Sequence, residues 1–126
     1  NKKNTKILGV SVLTSLNDKE TNKYYNEKSV ESLVKKFALE AKRFNLDGIV
    51  CSPKEVSYIR KVCGKNFIIV TPGIRLNSVN LKDDQKRTLS PREAIKLGSD
   101  YLVIGRPITQ AKNPLKTIKE INSYLK

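Results

Sequence analysis

The chain has 126 residues, of which 38% are hydrophobic and 29% are charged, and these proportions are typical of one soluble globular domain. Its apolar runs, such as residues 67–70 and 101–104, are far too short to cross a bilayer, so we expect no contact with a membrane. The net charge is +13, but the 25 basic residues are scattered and no aromatic residues alternate with them. We therefore expect solvated helix faces and no nucleic-acid partner.

The two cysteines, Cys51 and Cys63, are the main candidates for metal or thiol chemistry, because the chain has no histidine. A zinc site would need more ligands of this kind, so we expect no metal. Cys51 has no base beside it in the sequence, so we expect no nucleophilic role and interpret both thiols as reduced and buried, as in a cytoplasmic protein. The chain also lacks methionine, and we expect it to be a fragment or a processed piece.

An apolar strand, a polar connection and an amphipathic helix follow one another four times along the chain. The first strand is predicted over residues 6–13, and apolar residues at helical spacing predict a helix over residues 29–44. The second strand is predicted over residues 47–51. Residues 52–55 (SPKE) then combine a serine cap, a proline in the first turn and a capping-box glutamate, which predicts a helix that ends at Gly64.

The second half of the chain repeats this pattern with one longer connection. The third strand is predicted over residues 67–71 and is followed by a connection from Pro72 to Leu89. Residues 90–93 (SPRE) predict another helix start, with its end at Gly98. The fourth strand is predicted over residues 101–105, and the last helix begins at residues 113–114.

Strands that alternate with helices predict an α/β fold with a parallel sheet and right-handed crossovers. We expect residues 1–126 to form one unit, because no linker or low-complexity segment divides them. Four βα units fit either half of a TIM barrel or a small open, doubly wound sheet. Half a barrel would leave two open sheet edges, so it would need its missing half or a second copy to be stable.

The carboxyl ends of the strands are where α/β proteins carry their working groups. Arg75 and Arg106 follow the last two predicted strands, and a guanidinium offers a planar fork of donors for phosphate oxygens. Gly105 would let the backbone come close to an anion. The long connection that contains Arg75 has the length of a lid that closes over a bound phosphate, although a surface loop without a role is the simpler alternative.

Five segments in register resemble the bacterial-type orotidine 5′-monophosphate decarboxylases. They are VSVLTS at 10–15, LDGIVCSPKE at 46–55, VTPGIR at 70–75, DQKR at 84–87 and YLVIGRPIT at 101–109. The resemblance covers nearly all of the chain. It implies the C-terminal half of a TIM barrel of the ribulose-phosphate-binding type, with the N-terminal half absent.

The resemblance also implies a reaction, the decarboxylation of orotidine 5′-monophosphate to uridine 5′-monophosphate in pyrimidine biosynthesis, without a cofactor or a metal. Members of the family usually act as homodimers, so we expect a homodimer of the intact, cytoplasmic enzyme. The catalytic D-x-K-x-x-D motif of the family does not occur in this chain. We therefore expect no catalytic residues here and no activity of this half by itself.

Six positions match residues that bind the substrate in this family. Three of them concern the base: Thr14 would hydrogen-bond the pyrimidine ring, Pro72 would begin the phosphate loop and pack near the base, and Gln85 would bridge phosphate and base. For Thr14, a strand-end hydroxyl that holds a turn is the simpler alternative.

The other three matching positions concern the phosphate. The resemblance implies that Arg75 contacts the ligand from the phosphate loop, and that Gly105 and Arg106 bind the phosphate with a backbone amide and a guanidinium. A structural salt bridge is the simpler alternative for Arg106.

Two other functions remain open at this stage. Other phosphate-binding barrels, such as sugar-phosphate synthases and epimerases, share strand-end Gly-Arg sites of this kind. A module that binds nucleic acid or a partner protein without catalysis would need clustered charge and aromatic platforms, which the sequence lacks.

Overall fold

A computed structural model of the chain describes residues 5–13, 15–76 and 88–125. Within these ranges the chain forms one sheet of four parallel strands and six helices. The strands are β1 (Leu8–Val10), β2 (Gly48–Val50), β3 (Ile68–Thr71) and β4 (Tyr101–Leu102). The helices are α1 (Asp18–Tyr25), α2 (Val30–Arg43), α3 (Val56–Cys63), α4 (Pro91–Lys96), α5 (Arg106–Thr109) and α6 (Pro114–Tyr124), and a 3-10 turn (Pro53–Glu55) precedes α3.

The strands lie in the sheet in the order β1-β2-β3-β4, which is also their order in the chain. Consecutive parallel strands joined by right-handed crossovers place their helices on the same face. A doubly wound sheet would instead need a point where the strand order reverses. The observed order therefore excludes the doubly wound alternative and fits half of a TIM barrel.

The two faces of the sheet differ strongly in burial. Ile49 and Ile69 are neighbours in the strand register, and both are almost completely buried with the apolar side chains of α2 and α3. The adjacent row on the opposite face runs from Val10 to Tyr101, whose exposed fractions are 69% and 61%. The hydrophobic core therefore lies between the sheet and the helices, and the other face of the sheet is left uncovered.

Helix α2 forms where its apolar spacing predicts it. Its buried side chains include Val30, Leu33, Val34 and Ala38, which recur at the spacing of one helical face. The Ser29 hydroxyl caps the helix by accepting a hydrogen bond from the Ser32 amide at 3.1 Å.

Helix α1 was not predicted, because its sequence is polar and shows no apolar period. It starts at a capping box in which the Asn17 side chain accepts from the Glu20 amide at 3.1 Å and the Glu20 carboxylate accepts from the Asn17 amide at 2.8 Å. Thr21 is the buried residue of this helix. Short helix α5 was also not predicted, and the four observed strands are shorter than their predicted ranges.

Two aspartates hold the amino ends of neighbouring strands together. The Asp47 carboxylate precedes β2 and accepts from the Ile7 amide at 2.8 Å and from the Lys6 ammonium at 3.0 Å. Asp100 precedes β4 and accepts in the same way from the Ile69 amide at 2.7 Å. The bonds from Ile7 and Lys6 hold the pKa of Asp47 below its ordinary value of 3.8.

The guanidinium of Arg60 joins α3 to the amino end of the sheet. It donates to the carbonyl oxygens of Gly98 at 2.6 Å, Phe67 at 2.7 Å and Gly64 at 2.9 Å, and to the Asp100 carboxylate at 2.7 Å. Because its side chain is only 18% exposed, these bonds are partly shielded from water. The Arg60 bonds therefore stabilise the amino end of the sheet.

We expect Arg60→Ala to lower the free energy of unfolding by about 2–4 kcal/mol, because it removes several charge-assisted hydrogen bonds at once. Arg60→Lys should recover only part of the loss, since an ammonium lacks the planar fork. Urea unfolding curves of the three proteins measure this, and an Arg60→Ala curve that overlaps the wild type would contradict it.

We expect Asp47→Asn to reduce stability at neutral pH, because the charged acceptor for Ile7 and Lys6 is lost. A carboxyl with a lowered folded-state pKa stabilises the fold above its ordinary value of 3.8, and this stabilisation disappears as the pH falls through the folded-state value. The difference in the free energy of unfolding between the wild type and Asp47→Asn should therefore be largest at neutral pH and should vanish in strong acid. A difference that stays constant down to pH 2 would rule out this role.

Candidate functional site

The four parallel strands bring their carboxyl ends to one edge of the sheet. We call this edge the rim and define it by the described residues that directly follow the strands, 11–13, 51–55, 72–76 and 103–106. The four segments lie side by side because their strands pair in sequence. The rim is thus the place at which side chains from distant parts of the chain meet.

After β3 the chain makes a tight turn that places Arg75 on the rim. Pro72 is half-buried, and Gly73 has a φ of 76°, in the left-handed region that favours glycine. After this turn, Ile74 is completely buried in the core and the next residue, Arg75, is half-buried. The Arg75 guanidinium donates to the Ile74 carbonyl at 2.9 Å, so its own loop holds it in place.

The long connection after β3 is held together at its base. Ile74 and Leu89 form a parallel bridge, and the Arg75 amide donates to the Leu89 carbonyl at 3.0 Å. Gln85, the predicted link between phosphate and base, is in the segment 77–87 and lies outside the described residues.

The connection leads directly into a capped helix. The Glu93 carboxylate accepts from the amide and the hydroxyl of Ser90 at the start of α4. The Ser90 hydroxyl, followed by the Ser90 amide, lowers the pKa of Glu93, so this cap is charged at neutral pH.

After β4 the rim carries Gly105 and Arg106 at the start of α5. Both residues are exposed. Gly105 has a φ of −100°, which lies outside the left-handed region that favours glycine. Apart from Gly105 and its two chain neighbours, no heavy atom of the described residues lies within 4 Å of the position that a Cβ of Gly105 would take. The space beside this backbone is therefore open to a bound group.

The two arginine-bearing loops leave the sheet side by side. Thr71 and Leu102 are register partners, and the Val103 amide donates to the Thr71 carbonyl at 2.9 Å. Arg75 lies four residues after Thr71, and Arg106 lies four residues after Leu102. The structure thus brings the two predicted phosphate-binding arginines onto neighbouring segments of the rim.

The other strand ends contribute differently. Thr14, predicted to bind the pyrimidine, lies outside the described residues, and beside it the Leu16 amide donates to the Leu13 carbonyl at 3.0 Å. At β2, Cys51 is 1% exposed and belongs to the core, and the buried Glu55 carboxylate accepts from the Ser52 amide at 2.8 Å. Cys51 and Glu55 are therefore buried parts of the fold below the rim.

The remaining cysteine is also a core residue. Cys63 is 5% exposed, and burial raises the pKa of its thiol, which favours the neutral, unreactive form.

In the part of the chain that the structure describes, no helix is long and apolar enough to cross a membrane.

A comparison with protein families identifies the chain. The sequence model of the orotidine 5′-phosphate decarboxylase / HUMPS family matches residues 1–121. The chain belongs to this family. Its four parallel βα units accordingly form half of a TIM barrel, and that they are the C-terminal half stays a prediction.

Curated relatives of this family agree with the assignment. The orotidine 5′-phosphate decarboxylases of Coxiella burnetii and Actinobacillus pleuropneumoniae are each 47% identical to the chain over 120 residues, which is 95% of this chain. These residues are 50% and 52% of the two relatives. The chain therefore spans about half the length of the curated relatives it matches.

Solved structures also match nearly all of this chain with about half of a longer chain. The crystal structure of the orotidine 5′-phosphate decarboxylase from Lactobacillus acidophilus superimposes with a TM-score of 0.78 at 33% identity, and the match covers 94% of this chain and 48% of that one. An uncharacterized conserved protein from Geobacillus kaustophilus matches with a TM-score of 0.75 at 31% identity, over 96% of this chain and 49% of that one. In both, the chain corresponds to half of a longer fold.

Sequence reasoning selected Pro72 and Arg75 in the loop after β3 but did not single out Gly73, whose left-handed conformation sets the direction of that loop. The Pro-Gly pair is a recognised turn signal and would have been sufficient to identify it.

We expect Gly73→Ala to lower the free energy of unfolding by about 1–2 kcal/mol, because an alanine at this φ is strained. It should also speed hydrogen exchange at the Arg75 amide, which is bonded to Leu89. Lys112→Ala, at an exposed loop residue outside the left-handed region, is the control and should change stability little. Equal losses in the two variants would argue against a special role of the Gly73 turn.

Proposed function

We propose that this chain is the substrate-binding half of an orotidine 5′-monophosphate decarboxylase, which converts orotidine 5′-monophosphate to uridine 5′-monophosphate in pyrimidine biosynthesis. The observation that carries the proposal is the pair of arginine-bearing loops on adjacent strand ends, in a chain that is 47% identical to decarboxylases over almost its whole length. We propose further that the intact enzyme is a cytoplasmic homodimer.

The phosphate of the nucleotide binds at the part of the rim that follows β3 and β4. Arg106 and Arg75 supply guanidiniums, and the open backbone at Gly105 supplies amide donors. Support comes from the neighbouring registers of the two strands and from the space beside Gly105. Charge-assisted hydrogen bonds contribute about 1.5–3 kcal/mol each, so two or three of them offer on the order of 5 kcal/mol before ordering costs.

The base binds farther along the rim, towards β1. Thr14 hydrogen-bonds the pyrimidine ring, Pro72 packs near it, and Gln85 reaches from the long connection to both phosphate and base. The position of Pro72 directly after β3 is consistent with this arrangement. The anchoring of the connection by Ile74 and Leu89 would keep both ends of the Gln85 segment at the rim.

The chemical step takes place away from the phosphate. Loss of carbon dioxide leaves carbanion character at C6 of the pyrimidine, and a cation must stabilise this charge and deliver a proton. We assign that work to the half of the enzyme that this chain lacks, since its sequence has no D-x-K-x-x-D motif. Phosphate binding here contributes to catalysis when it is stronger in the transition state than in the ground state.

The test uses this chain fused to the N-terminal half of the Coxiella burnetii relative. We expect Arg106→Ala to lower kcat/KM for orotidine 5′-monophosphate by about 10²-fold, equivalent to about 2.7 kcal/mol of charge-assisted bonding. Orotidine, which has no phosphate, should be decarboxylated equally by both proteins. Equal losses on the two substrates would refute the phosphate role.

The matched control for this experiment is Arg43→Ala. Arg43 is an arginine on the outer surface, with a side chain that is 73% exposed and paired with Glu40. This variant should behave as the wild type on both substrates. A similar loss in both variants would show that overall charge, and not the position of Arg106, governs the rate.

A sugar-phosphate synthase or epimerase remains the alternative reaction for a barrel of this type. The names of the curated relatives favour the decarboxylase. Calorimetric titration of the fusion protein with uridine 5′-monophosphate and with a pentose phosphate distinguishes the two, because a decarboxylase should prefer the nucleotide. A preference for the pentose phosphate would support the alternative.

A further inference from the structure

A pair of buried hydroxyl groups joins the two strands that lead to the arginine-bearing loops. The Thr71 and Ser99 hydroxyl oxygens are 2.6 Å apart, within hydrogen-bonding range, and either oxygen can be the donor. Thr71 is completely buried, and Ser99 is 6% exposed. The Ser99 hydroxyl can also donate to the Tyr101 carbonyl at 3.1 Å or, at 3.5 Å, to the Ile69 carbonyl. The pair therefore connects the end of β3 with the residues at the start of β4.

Thr71 lies where both arginine-bearing segments leave the sheet. It is the last residue of β3, so the turn that leads to Arg75 starts directly after it. Its carbonyl accepts a hydrogen bond from the Val103 amide at 2.9 Å, and Val103 begins the rim segment that carries Arg106. Because its side chain is completely buried, Thr71 itself cannot contact a ligand on the rim. Its influence on a ligand must therefore act through the two loops.

Packing alone does not explain hydroxyl groups at this place in the core. The buried positions nearby in the sequence are apolar, and Ile69, Ile74 and Ala94 are all completely buried. A valine has nearly the shape of threonine and would add no polar group that needs a partner. A satisfied hydrogen bond, however, fixes the relative position of two segments more closely than apolar contact does. Such a bond matters here because the ladder between β3 and β4 has only two register pairs among the described residues.

We propose that Thr71 and Ser99 are positioning residues for the phosphate, because their hydrogen bond sets the separation of the loops that carry Arg75 and Arg106. The inference rests on the proposed function, since it concerns the spacing of two guanidiniums around one phosphate. Misplacement of a binding group by about 1 Å can lower a rate on the order of 10²-fold, so the smaller shift expected from loss of one bond should cost about 10-fold.

A pair that only stabilises the fold makes a different prediction. Ser99→Ala removes the partner of a buried hydroxyl, whereas Thr71→Val leaves Ser99 the Tyr101 carbonyl as an acceptor. Ser99→Ala should therefore lower the free energy of unfolding more than Thr71→Val does. The double variant removes both members of the bond and should be more stable than Ser99→Ala. With a stabilising role alone, activity should follow this order and recover in the double variant.

The test uses the fusion protein described above, with kcat/KM measured for orotidine 5′-monophosphate and for orotidine and with urea unfolding measured in parallel. We expect kcat/KM for the phosphorylated substrate to fall about 10-fold in Thr71→Val, in Ser99→Ala and in the double variant, with unchanged values for orotidine. The loss should persist in the double variant although its stability recovers. Thr71→Ser keeps the hydroxyl and should retain most of the wild-type rate.

Thr21→Val is the matched control, because Thr21 is also a completely buried threonine and its hydroxyl has no hydrogen-bond partner among the described residues. This variant should leave the ratio of the two kcat/KM values unchanged.

Three results would overturn the inference and leave the phosphate role of Arg106 intact. They are a wild-type rate in Thr71→Val, a rate that recovers in the double variant, and equal losses on the two substrates in the hydroxyl variants. Failure of the proposed function is recognised separately, because Arg106→Ala would then affect both substrates alike. That result would overturn the phosphate site and this inference with it.

Discussion

Parallel pairing of consecutive strands determines most of what this chain can do. Each strand hydrogen-bonds to the strand that precedes it in the sequence, so the helices between them lie on one face and all carboxyl ends lie on one rim. Hydrophobic burial then takes place on the helix side, where Ile49 and Ile69 meet α2 and α3. The opposite face cannot be covered by the same units, so closure of the sheet is left to further strands.

Because the strands are parallel, the residues at their amino ends and those at their carboxyl ends form two separate groups. At the amino ends, Asp47, Asp100 and Arg60 join backbone groups of neighbouring strands. At the carboxyl ends, the loops that carry Arg75 and Arg106 extend beyond the hydrogen-bonded strands, which leaves them able to contact a ligand. Substitutions at the amino ends of the strands should therefore have no direct effect on the rim. Substitutions on the rim should likewise have no direct effect on the bonds at the amino ends.

Much of this could be predicted from the sequence, for physical reasons that differ between elements. The helix α2 and the inner strands β2 and β3 have strong apolar patterns, and the serine-proline starts of α3 and α4 are local signals. Helix α1 depends on a capping box at Asn17 and on burial of one residue, so its polar sequence gives no period to detect. Strand β4 is only two residues long and, among the described residues, pairs with β3 alone, so its sequence predicted a longer strand than the structure forms.

For the candidate site, the strand-end rule predicted that Arg75 and Arg106 follow neighbouring strands, and the register of β3 and β4 agrees with this. Thr14 and Gln85 lie outside the described residues, so their roles stay predictions.

The bridge between Ile74 and Leu89 has a consequence for how this fold can vary among related proteins. It fixes the separation of the two chain ends from which the segment 77–87 departs, whatever the composition of that segment. Closing a longer loop between fixed ends costs little extra entropy, about 0.6 kcal/mol for each doubling of its length. Insertions and deletions in that segment would consequently leave the pairing of the sheet unchanged.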